Sequence, residues 1–347
     1  MSSPSAAWLG AGLALIVSSA LSGVLAWCGP VDRPRTRGMH DAPTPTAGGL
    51  ALLGGTAIAV FAGLPALRAS GGADLAFTAA FVVALAHSLL GAFDDVLDFG
   101  AKAKLVAQLV LALAFAALAH PSSIPLTHAF AVDLPWPVAV AGVALWMIVT
   151  VNAVNFMDGS NGLVVGALAI VLGGLGLRTL GGAGPALAMV LLGAAGACLG
   201  FLPWNYPRAR LFQGDAGALF LGALVAAAAV VAACPGRAAG PLSLFAVPIA
   251  LTPLLTDVLL TLIVRARRKA PLFEAHRDHL YQRWLAAHGG DHGALARRLW
   301  LIVGLYTLAA MSVAEGDPLV AVMAFLVGVA VAVAGWLRLD RGLRRSG

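Results

Sequence analysis

Eleven long apolar stretches, separated by short polar segments, dominate the sequence. Each has roughly the 20 residues that an α-helix needs to cross the hydrocarbon core of a bilayer. We therefore predict an all-α, polytopic integral membrane protein with about 11 transmembrane helices, forming a single domain over residues 1–347. The predicted helices start near Trp8, Gly48, Leu75, Lys104, Trp136, Gly162, Pro185, Ala216, Pro241, Arg298 and Pro318.

Basic residues lie mainly on one side of these predicted helices. Of the 22 Lys and Arg residues, all but Arg68, Arg178 and Arg237 fall in loops or ends on that side. Cytoplasmic loops carry such an excess, so we predict an external N-terminus, an uncleaved first helix that acts as a signal anchor, and a cytoplasmic C-terminus. The predicted cytoplasmic loops with most of the polar residues lie at about 28–47, 92–103, 152–161, 205–215 and 265–297.

The composition supports a membrane protein, with 60% hydrophobic and 11% charged residues. The cytoplasmic bias and attraction to anionic membrane lipids account for the net charge of +6, so we expect no nucleic-acid partner. Cys28, Cys198 and Cys234 are widely spaced, which favours neither a disulfide framework nor a zinc site.

Two adjacent acids, Asp94 and Asp95, end the third predicted helix. Their carboxylates repel each other unless a cation compensates them, which favours Mg²⁺, although capping of a membrane helix is the other interpretation. Lys104 follows on the next helix and is suited to phosphate oxygens or, alternatively, to snorkelling toward water. Asp215 opens the eighth helix beside backbone N–H groups that suit a metal–phosphate complex; an ordinary N-cap is the alternative.

Polar residues also follow the fifth predicted helix at a spacing of three, at Asn152, Asn155, Asp158 and Asn161. If the helix continues that far, they share a face that can bind uracil and phosphates. Hydrogen bonding between membrane helices is the other interpretation.

Two further loops carry candidate ligands for an anionic substrate. His276, Arg277 and His279 lie in the longest cytoplasmic loop, where we expect contacts to diphosphate or sugar rather than to zinc. The first loop carries Arg37 and His40 between prolines that stiffen it and glycines that permit close approach.

The five loops together resemble the polyprenyl-phosphate N-acetylhexosamine-1-phosphate transferases, which form glycosyltransferase family 4. The resemblance spans residues 32 to about 285. The matching segments, in order, are DRPRTRGMH with PTPTAGG, GAFDD with KLVAQ, NAVNFMDGSNGL, FLPWNYPRARLFQGDAGALFLG and HRDHLYQR.

The resemblance implies transfer of a sugar 1-phosphate from a UDP-N-acetylhexosamine to undecaprenyl phosphate, giving UMP, at the cytoplasmic face of a bacterial inner membrane. It implies Mg²⁺, with Mn²⁺ as a substitute, and allows a homodimer. It assigns Asp94, Asp95, Asp158 and Lys104 to catalysis and Asp215 with Asp95 to the metal. Substrate binding falls to Arg37, His40, Asn152, Asn155, Asn161, Asn205, Arg210, His276, Arg277 and His279.

One departure from the family pattern concerns the last loop, where His276 replaces an acid and Tyr281 and Gln282 replace later histidines. In this the chain looks like the O-antigen-initiating subgroup. The expected sugar is therefore N-acetylglucosamine or a 6-deoxy N-acetylhexosamine such as N-acetylfucosamine or N-acetylquinovosamine. The rival interpretation is a transporter or lipid flippase, which Asp257, inside the ninth predicted helix, could serve.

Overall fold

The computed structural model describes residues 3–32, 43–69, 75–97, 99–126, 129–180, 185–233, 242–272, 274, 276–314 and 316–345. Within these residues the chain forms twelve α-helices and two short antiparallel strand pairs, which confirms the all-α prediction. The first six helices are α1 Ser3–Cys28, α2 Gly48–Ala69, α3 Leu75–Leu97, α4 Ala101–Leu118, α5 Trp136–Met157 and α6 Leu163–Leu180. The others are α7 Pro185–Asn205, α8 Gly214–Ala233, α9 Ala246–Arg267, α10 Leu280–Ala287, α11 His292–Val313 and α12 Pro318–Arg345.

Eleven of the helices in this described part are long and apolar enough to cross a membrane, which confirms the predicted number. The exception is α10, with 8 residues. It is too short to span a bilayer, and its apolar residues repeat on one face only. Its sequence therefore gave no hydropathy signal, and it was not predicted.

Three predicted helix starts were displaced by five residues or more, and the first of them is α1, which begins at Ser3 rather than near Trp8. The structure begins α11 at His292 rather than near Arg298, because Asp291 caps it by accepting the backbone N–H of Ala294 at 2.8 Å. It begins α9 at Ala246, after a turn in which the Ala246 N–H donates to the Ser243 carbonyl. The predicted start, Pro241, lies outside the described residues.

The strands were also not predicted, because each is too short to show an alternating pattern. β1 Val31–Asp32 pairs with β2 Thr44–Pro45, and β3 Ser123–Pro125 pairs with β4 Ala131–Asp133. An isolated bridge between Thr46 and Phe212 joins the end of the first pair to the segment before α8. These contacts bring the segment before α2 to the start of α8.

The centre of the bundle is α8, whose residues 216–232 are all buried. It packs against α2, α3, α5, α7 and α9, and small residues permit the close approach. A Cβ at Gly49 would collide with the backbone N of Gly217, and one at Gly91 with the carbonyl of Asp215. The first turn of α8 is therefore held tightly between α2 and α3.

One continuous cluster of buried apolar side chains has members in all twelve described helices. At the perimeter, α1, α4 and α12 expose large apolar side chains such as Ile16, Val110 and Val331. An apolar perimeter of this kind suits contact with lipid tails.

Candidate active site

A cavity of about 800 Å³ opens at one end of the bundle. Its polar wall combines the end of α3, the start of α4, the end of α5, the start of α8 and the segment before α10. Its apolar wall comes from α4, α5 and α9, through Leu105, Ile148, Val149, Leu259 and Leu262. A ligand in this cavity would meet charged groups at one end and an apolar surface at the other.

Lys104 joins two carboxylates from separate helices. Its Nζ lies 2.7 Å from Asp94 Oδ2 and also forms an ion pair with Asp215 Oδ2. The other oxygen of Asp94 accepts the backbone N–H of Phe99 at 3.0 Å, just beyond the end of α3. The amine thus lies at the meeting point of α3, α4 and α8.

Asp95 is directed at the first turn of α8. Its Oδ1 accepts the backbone N–H of Asp215 at 3.1 Å, and its Oδ2 accepts that of Ala216 at 3.3 Å. These N–H groups have no partner within their own helix and carry partial positive charge. Gly214, with φ +66°, leaves room for this approach, because a Cβ there would meet Asp95 Oδ2 and Thr46.

Asp158 lies in the turn that ends α5. The helix stops at Met157, because Gly159 and Gly162, the latter with φ +68°, begin a turn. The four polar residues spaced by three therefore do not share one helix face, yet all of them line the cavity. Burial raises the pKa of Asp158 well above its usual range, and the charges of Asp215 and Asp95 raise it further.

The turn after Asp158 is held by side chains from α7 and α11. Asn205 Oδ1 accepts the backbone N–H of Gly162 at 2.6 Å, while its Nδ2 donates to the Leu211 carbonyl at 2.9 Å. His292 Nδ1 accepts the backbone N–H of Asn161 at 3.3 Å and lies 2.9 Å from the Ser160 hydroxyl. Because a backbone N–H only donates, Nδ1 carries no proton in this arrangement.

The last loop is positioned by Asp257 of α9. This carboxylate caps α10 by accepting the backbone N–H groups of Leu280 at 2.8 Å and Tyr281 at 3.1 Å. The Tyr281 hydroxyl donates to the Phe156 carbonyl at 2.9 Å, and burial raises its pKa, so the phenol stays protonated. The loop is thereby joined to the end of α5.

The two histidines of this loop face the same cavity, with ring centroids 5.0 Å apart. Burial, then the neighbouring His279 and Arg265, lower the pKa of His276 to about 4. Burial also lowers the pKa of His279. Both rings are therefore neutral near pH 7 and act as hydrogen-bonding groups rather than as cations.

Among the residues that the structure describes, the cavity lining has many more acidic than basic side chains. The acids are Asp32, Asp94, Asp95, Asp158, Asp215 and Glu274, and Lys104 is the one Lys or Arg in this described lining. Carboxylate oxygens are the ligands that Mg²⁺ prefers, and this ion is usually held by one or two carboxylates plus water and substrate phosphate. The donor set therefore fits Mg²⁺, although the described residues include no group of three potential ligands already arranged around one point.

The structure brings most of the predicted site residues together. Those lining the cavity are Asp94, Asp95, Lys104, Asn152, Asn155, Asp158, Asn161, Asn205, Asp215, His276 and His279. Arg277 is not among the lining residues, and Arg210 lies over the Trp204 ring, 4.6 Å from its centroid, while donating to the Pro203 carbonyl. Arg37 and His40 lie outside the described residues.

Several polar lining residues, among them Asp32 and Tyr281, were not among the predicted site residues. His292 and Gln213 line the cavity near the Asp158 turn, and Glu274 precedes His276 in the last loop. Gln213 lies in the recognised segment FLPWNYPRARLFQGDAGALFLG, two residues before Asp215, so the sequence could have indicated it as a site residue. His292 had no such signal, because it lies outside the recognised segments and only the fold brings it to the turn.

A bundle of apolar helices with a cavity at one end, lined by acids on one wall and by apolar side chains on another, defines a multi-pass membrane protein with a candidate site for a cation and an amphipathic ligand. Comparison with known proteins narrows this class. Residues 77–233 match the family described as glycosyl transferase family 4, and relatives at least 30% identical are similar over as much as 92% of the chain. The chain belongs to glycosyl transferase family 4.

Three relatives illustrate the similarity. The decaprenyl-phosphate N-acetylglucosaminephosphotransferase of Mycobacterium tuberculosis is 34% identical over 343 residues, covering 92% of this chain and 83% of the relative. A probable undecaprenyl-phosphate N-acetylglucosaminyl 1-phosphate transferase of Bacillus subtilis is 29% identical over 304 residues, with 86% and 81% coverage. A phospho-N-acetylmuramoyl-pentapeptide-transferase of Synechococcus is 37% identical over 238 residues, with 63% and 66% coverage. The family prediction is confirmed, while the proximity to the O-antigen-initiating subgroup stays a prediction.

Proposed function

We propose that the protein transfers N-acetylhexosamine 1-phosphate from its UDP-sugar to a polyprenyl phosphate, releasing UMP. The observation that carries the proposal is that an acidic cluster, which includes Asp94 and Asp215, adjoins an apolar wall within one cavity. The relatives named above as polyprenyl-phosphate sugar-phosphate transferases support the same reaction class. Undecaprenyl phosphate is the proposed lipid.

The proposed reaction needs one phosphorus–oxygen bond to form and one to break. An oxygen of polyprenyl phosphate attacks the sugar-linked phosphorus of the UDP-sugar, and UMP leaves. A phosphate monoester is mostly ionised near neutral pH, so proton removal by the protein is not obligatory. Direct attack by the lipid and a two-step route through Asp94 remain alternatives.

In this proposal Mg²⁺ supplies positive charge to the diphosphate oxygens, and Asp215 with an acid of the α3 pair would hold it. Lys104 lies between Asp94 and Asp215, so its ammonium group is directed to the same place and can contact a phosphate oxygen. Asp95 keeps the first turn of α8 in position through two backbone hydrogen bonds. The neutral rings of His276 and His279 provide hydrogen bonds to the sugar or diphosphate.

The sugar is proposed to be N-acetylglucosamine, because the relatives similar over most of the chain are named for it. The 6-deoxy N-acetylhexosamines are the alternative, supported by Tyr281 and Gln282 in place of two family histidines. The proposed location is the bacterial inner membrane, with the cavity facing the cytoplasm. The distribution of Lys and Arg supports that orientation.

A transporter or flippase is less favoured by the distribution of acids. Transport sites usually place charged groups near the middle of the membrane. Here the six acids that line the cavity come from helix ends, the strand Val31–Asp32 and loops. The buried acid Asp257 is engaged as the cap of α10.

UMP release by the purified protein tests the proposal directly. The assay contains undecaprenyl phosphate, Mg²⁺ and, one at a time, UDP-N-acetylglucosamine and the 6-deoxy UDP-N-acetylhexosamines. Lipid-dependent and Mg²⁺-dependent UMP from one donor is the expected result, and it should be lost in Asp215→Asn and Asp94→Asn. Asp133→Asn is the matched control, since this exposed acid lies in a strand away from the cavity. Folded protein that releases no UMP from any donor would contradict the proposal.

A further inference from the structure

A pair of side-chain amides joins α4 to α5 beside the cavity. Asn152 lines the cavity, whereas Gln108 lies behind it with no exposed surface. Asn152 Nδ2 donates to Gln108 Oε1 at 2.7 Å and to the Ile148 carbonyl, one turn earlier on α5, at 2.9 Å. Gln108 lies one helical turn beyond Lys104 on α4, so the pair adjoins the charged cluster.

The Ile148 carbonyl determines which way both amides point. A backbone carbonyl can only accept hydrogen bonds, so the Asn152 NH₂ group, not its oxygen, must face it. The oxygen of Gln108 must then face the second hydrogen of that NH₂ group. Exchanging N and O in either side chain would oppose two donors or two acceptors.

This orientation restricts the hydrogen bonds that Asn152 can form with a ligand in the cavity. Both of its N–H hydrogens are used inside the protein, and only the lone pairs of Oδ1 are left for a ligand. Asn152 can therefore accept a hydrogen bond from a ligand but cannot donate one. A carbonyl oxygen repels an anionic phosphate oxygen and attracts an N–H or O–H group.

Gln108 contributes more than packing to this arrangement. Its Nε2 is buried without a hydrogen-bond partner among the described residues, and an unsatisfied buried amide costs free energy. A leucine would fill a similar volume without that cost. The benefit that Gln108 brings is the acceptor that it presents to Asn152.

We propose that Gln108 is a positioning residue that orients Asn152 to accept a hydrogen bond from the nucleotide sugar. The inference rests on the proposed function. Of the two proposed substrates, the ionised lipid phosphate offers hardly any donors, whereas the UDP-sugar carries an acetamido N–H and several hydroxyls. The interaction therefore belongs to the UDP-sugar and not to the lipid.

Two variants of Gln108 separate the effect of its hydrogen-bond acceptor from the effect of its side-chain volume. Gln108→Met keeps the size and removes the acceptor, and it should raise KM for the UDP-sugar about three- to tenfold, the effect of one lost neutral hydrogen bond. KM for undecaprenyl phosphate and the Mg²⁺ concentration at half-maximal rate should not change. Gln108→Glu keeps an acceptor oxygen at the same place and should stay close to the wild-type KM.

The double variant tests whether Gln108 acts through Asn152. Asn152→Leu should raise KM for the UDP-sugar by about tenfold, and adding Gln108→Met to it should cause no further change, because the two residues form one unit. Asn152→Leu leaves Gln108 intact and so also serves if Gln108→Met does not fold. Thermal unfolding and gel filtration confirm that each protein measured is folded.

The outcomes also separate this inference from the proposed function. Wild-type protein that releases no UMP contradicts the proposed reaction, whatever the variants do. If the wild type is active, additive effects of the two substitutions would overturn the inference alone. So would a rise in KM for the lipid, or a shift in the Mg²⁺ requirement, since either would assign Asn152 to a different ligand.

Discussion

The Asp95 carboxylate lies at the N-terminus of α8 and accepts the backbone N–H of Asp215 at 3.1 Å. Helix N-termini attract anions, and here an acid from α3 occupies that position. The carboxylate of Asp215 is instead paired with Lys104. The two acids at this point of the cavity therefore have different roles, although the sequence alone suggests the same one.

Substitutions of Asp95 should separate the effect of its hydrogen bonds on stability from the effect of its negative charge on activity. Asn retains an oxygen that can accept a backbone N–H, so Asp95→Asn should keep most of the stability, whereas Asp95→Ala should lose about 1 kcal/mol as a removed cap does. Both should reduce UMP release by about 100-fold if the negative charge helps hold the cation. Thermal unfolding and the UMP assay measure the two effects. Full activity in Asp95→Asn would show that the charge is not used.

Removing the cation at Lys104 should affect activity strongly. Lys104→Met leaves Asp94 and Asp215 without their shared partner, and we expect UMP release to fall by about 100-fold or more. Lys104→Arg keeps the charge but not the compact ammonium geometry, so it should recover only part of the rate. Lys102→Met is the matched control, since Lys102 is exposed and does not line the cavity. Equal rates for Lys104→Met and Lys102→Met would contradict the assignment.

The low pKa of His276 predicts a loss of stability in acid. Its pKa is about 4 in the folded protein and about 6.5 in an unfolded chain, so between these values the unfolded state binds more protons. The free energy of unfolding should therefore decrease as the pH falls through this window and be unaffected by His276 above it. Thermal unfolding between neutral pH and pH about 5 measures the slope.

His276→Gln should reduce that slope, because Gln does not titrate. His288→Gln, at the exposed end of α10, is the matched control and should leave the slope closer to wild type. Identical slopes for wild type and His276→Gln would mean that other groups cause the acid dependence.

The contact of His292 with the Asp158 turn predicts a difference between two amide substitutions. The Oδ1 of Asn can take the place of Nδ1 and accept the Asn161 N–H, whereas the amide of Gln resembles the outer edge of the ring. His292→Asn should therefore keep KM for the UDP-sugar within about threefold of wild type, while His292→Gln should raise it by about tenfold. Steady-state kinetics with both variants decide this. The reverse order would place the important contact at Nε2.

Hydropathy predicted the membrane helices well, because each needs a long apolar run. The positions of Asp94 at the end of α3 and of Asp215 at the start of α8 followed from that pattern. The residues with which Asp94 and Asp215 pair could not be predicted from hydropathy. Lys104 pairs with both acids only because α3, α4 and α8 meet, which local sequence does not specify.

The short elements were missed for a related reason. Eight residues are enough for α10 because Asp257 satisfies its first backbone N–H groups from another helix. Nothing within the α10 sequence indicates that cap. The shared face predicted for Asn152, Asn155, Asp158 and Asn161 depended on a helix that continued to Asn161, whereas α5 ends at Met157, before Gly159 and Gly162.

Helix α12 supports the last loop of the cavity from behind, without lining the cavity itself. Trp336 of α12 donates to Asp257 at 3.1 Å, and Asp340 of the same helix pairs with Arg283 of α10. Chains are synthesised from the N-terminus, so α12 is the last of the described helices to leave the ribosome. When Glu274 has been synthesised, a nascent chain carries its first nine helices and every acid of the described cavity lining, yet the support that α12 gives to α10 forms only after α12 has been made.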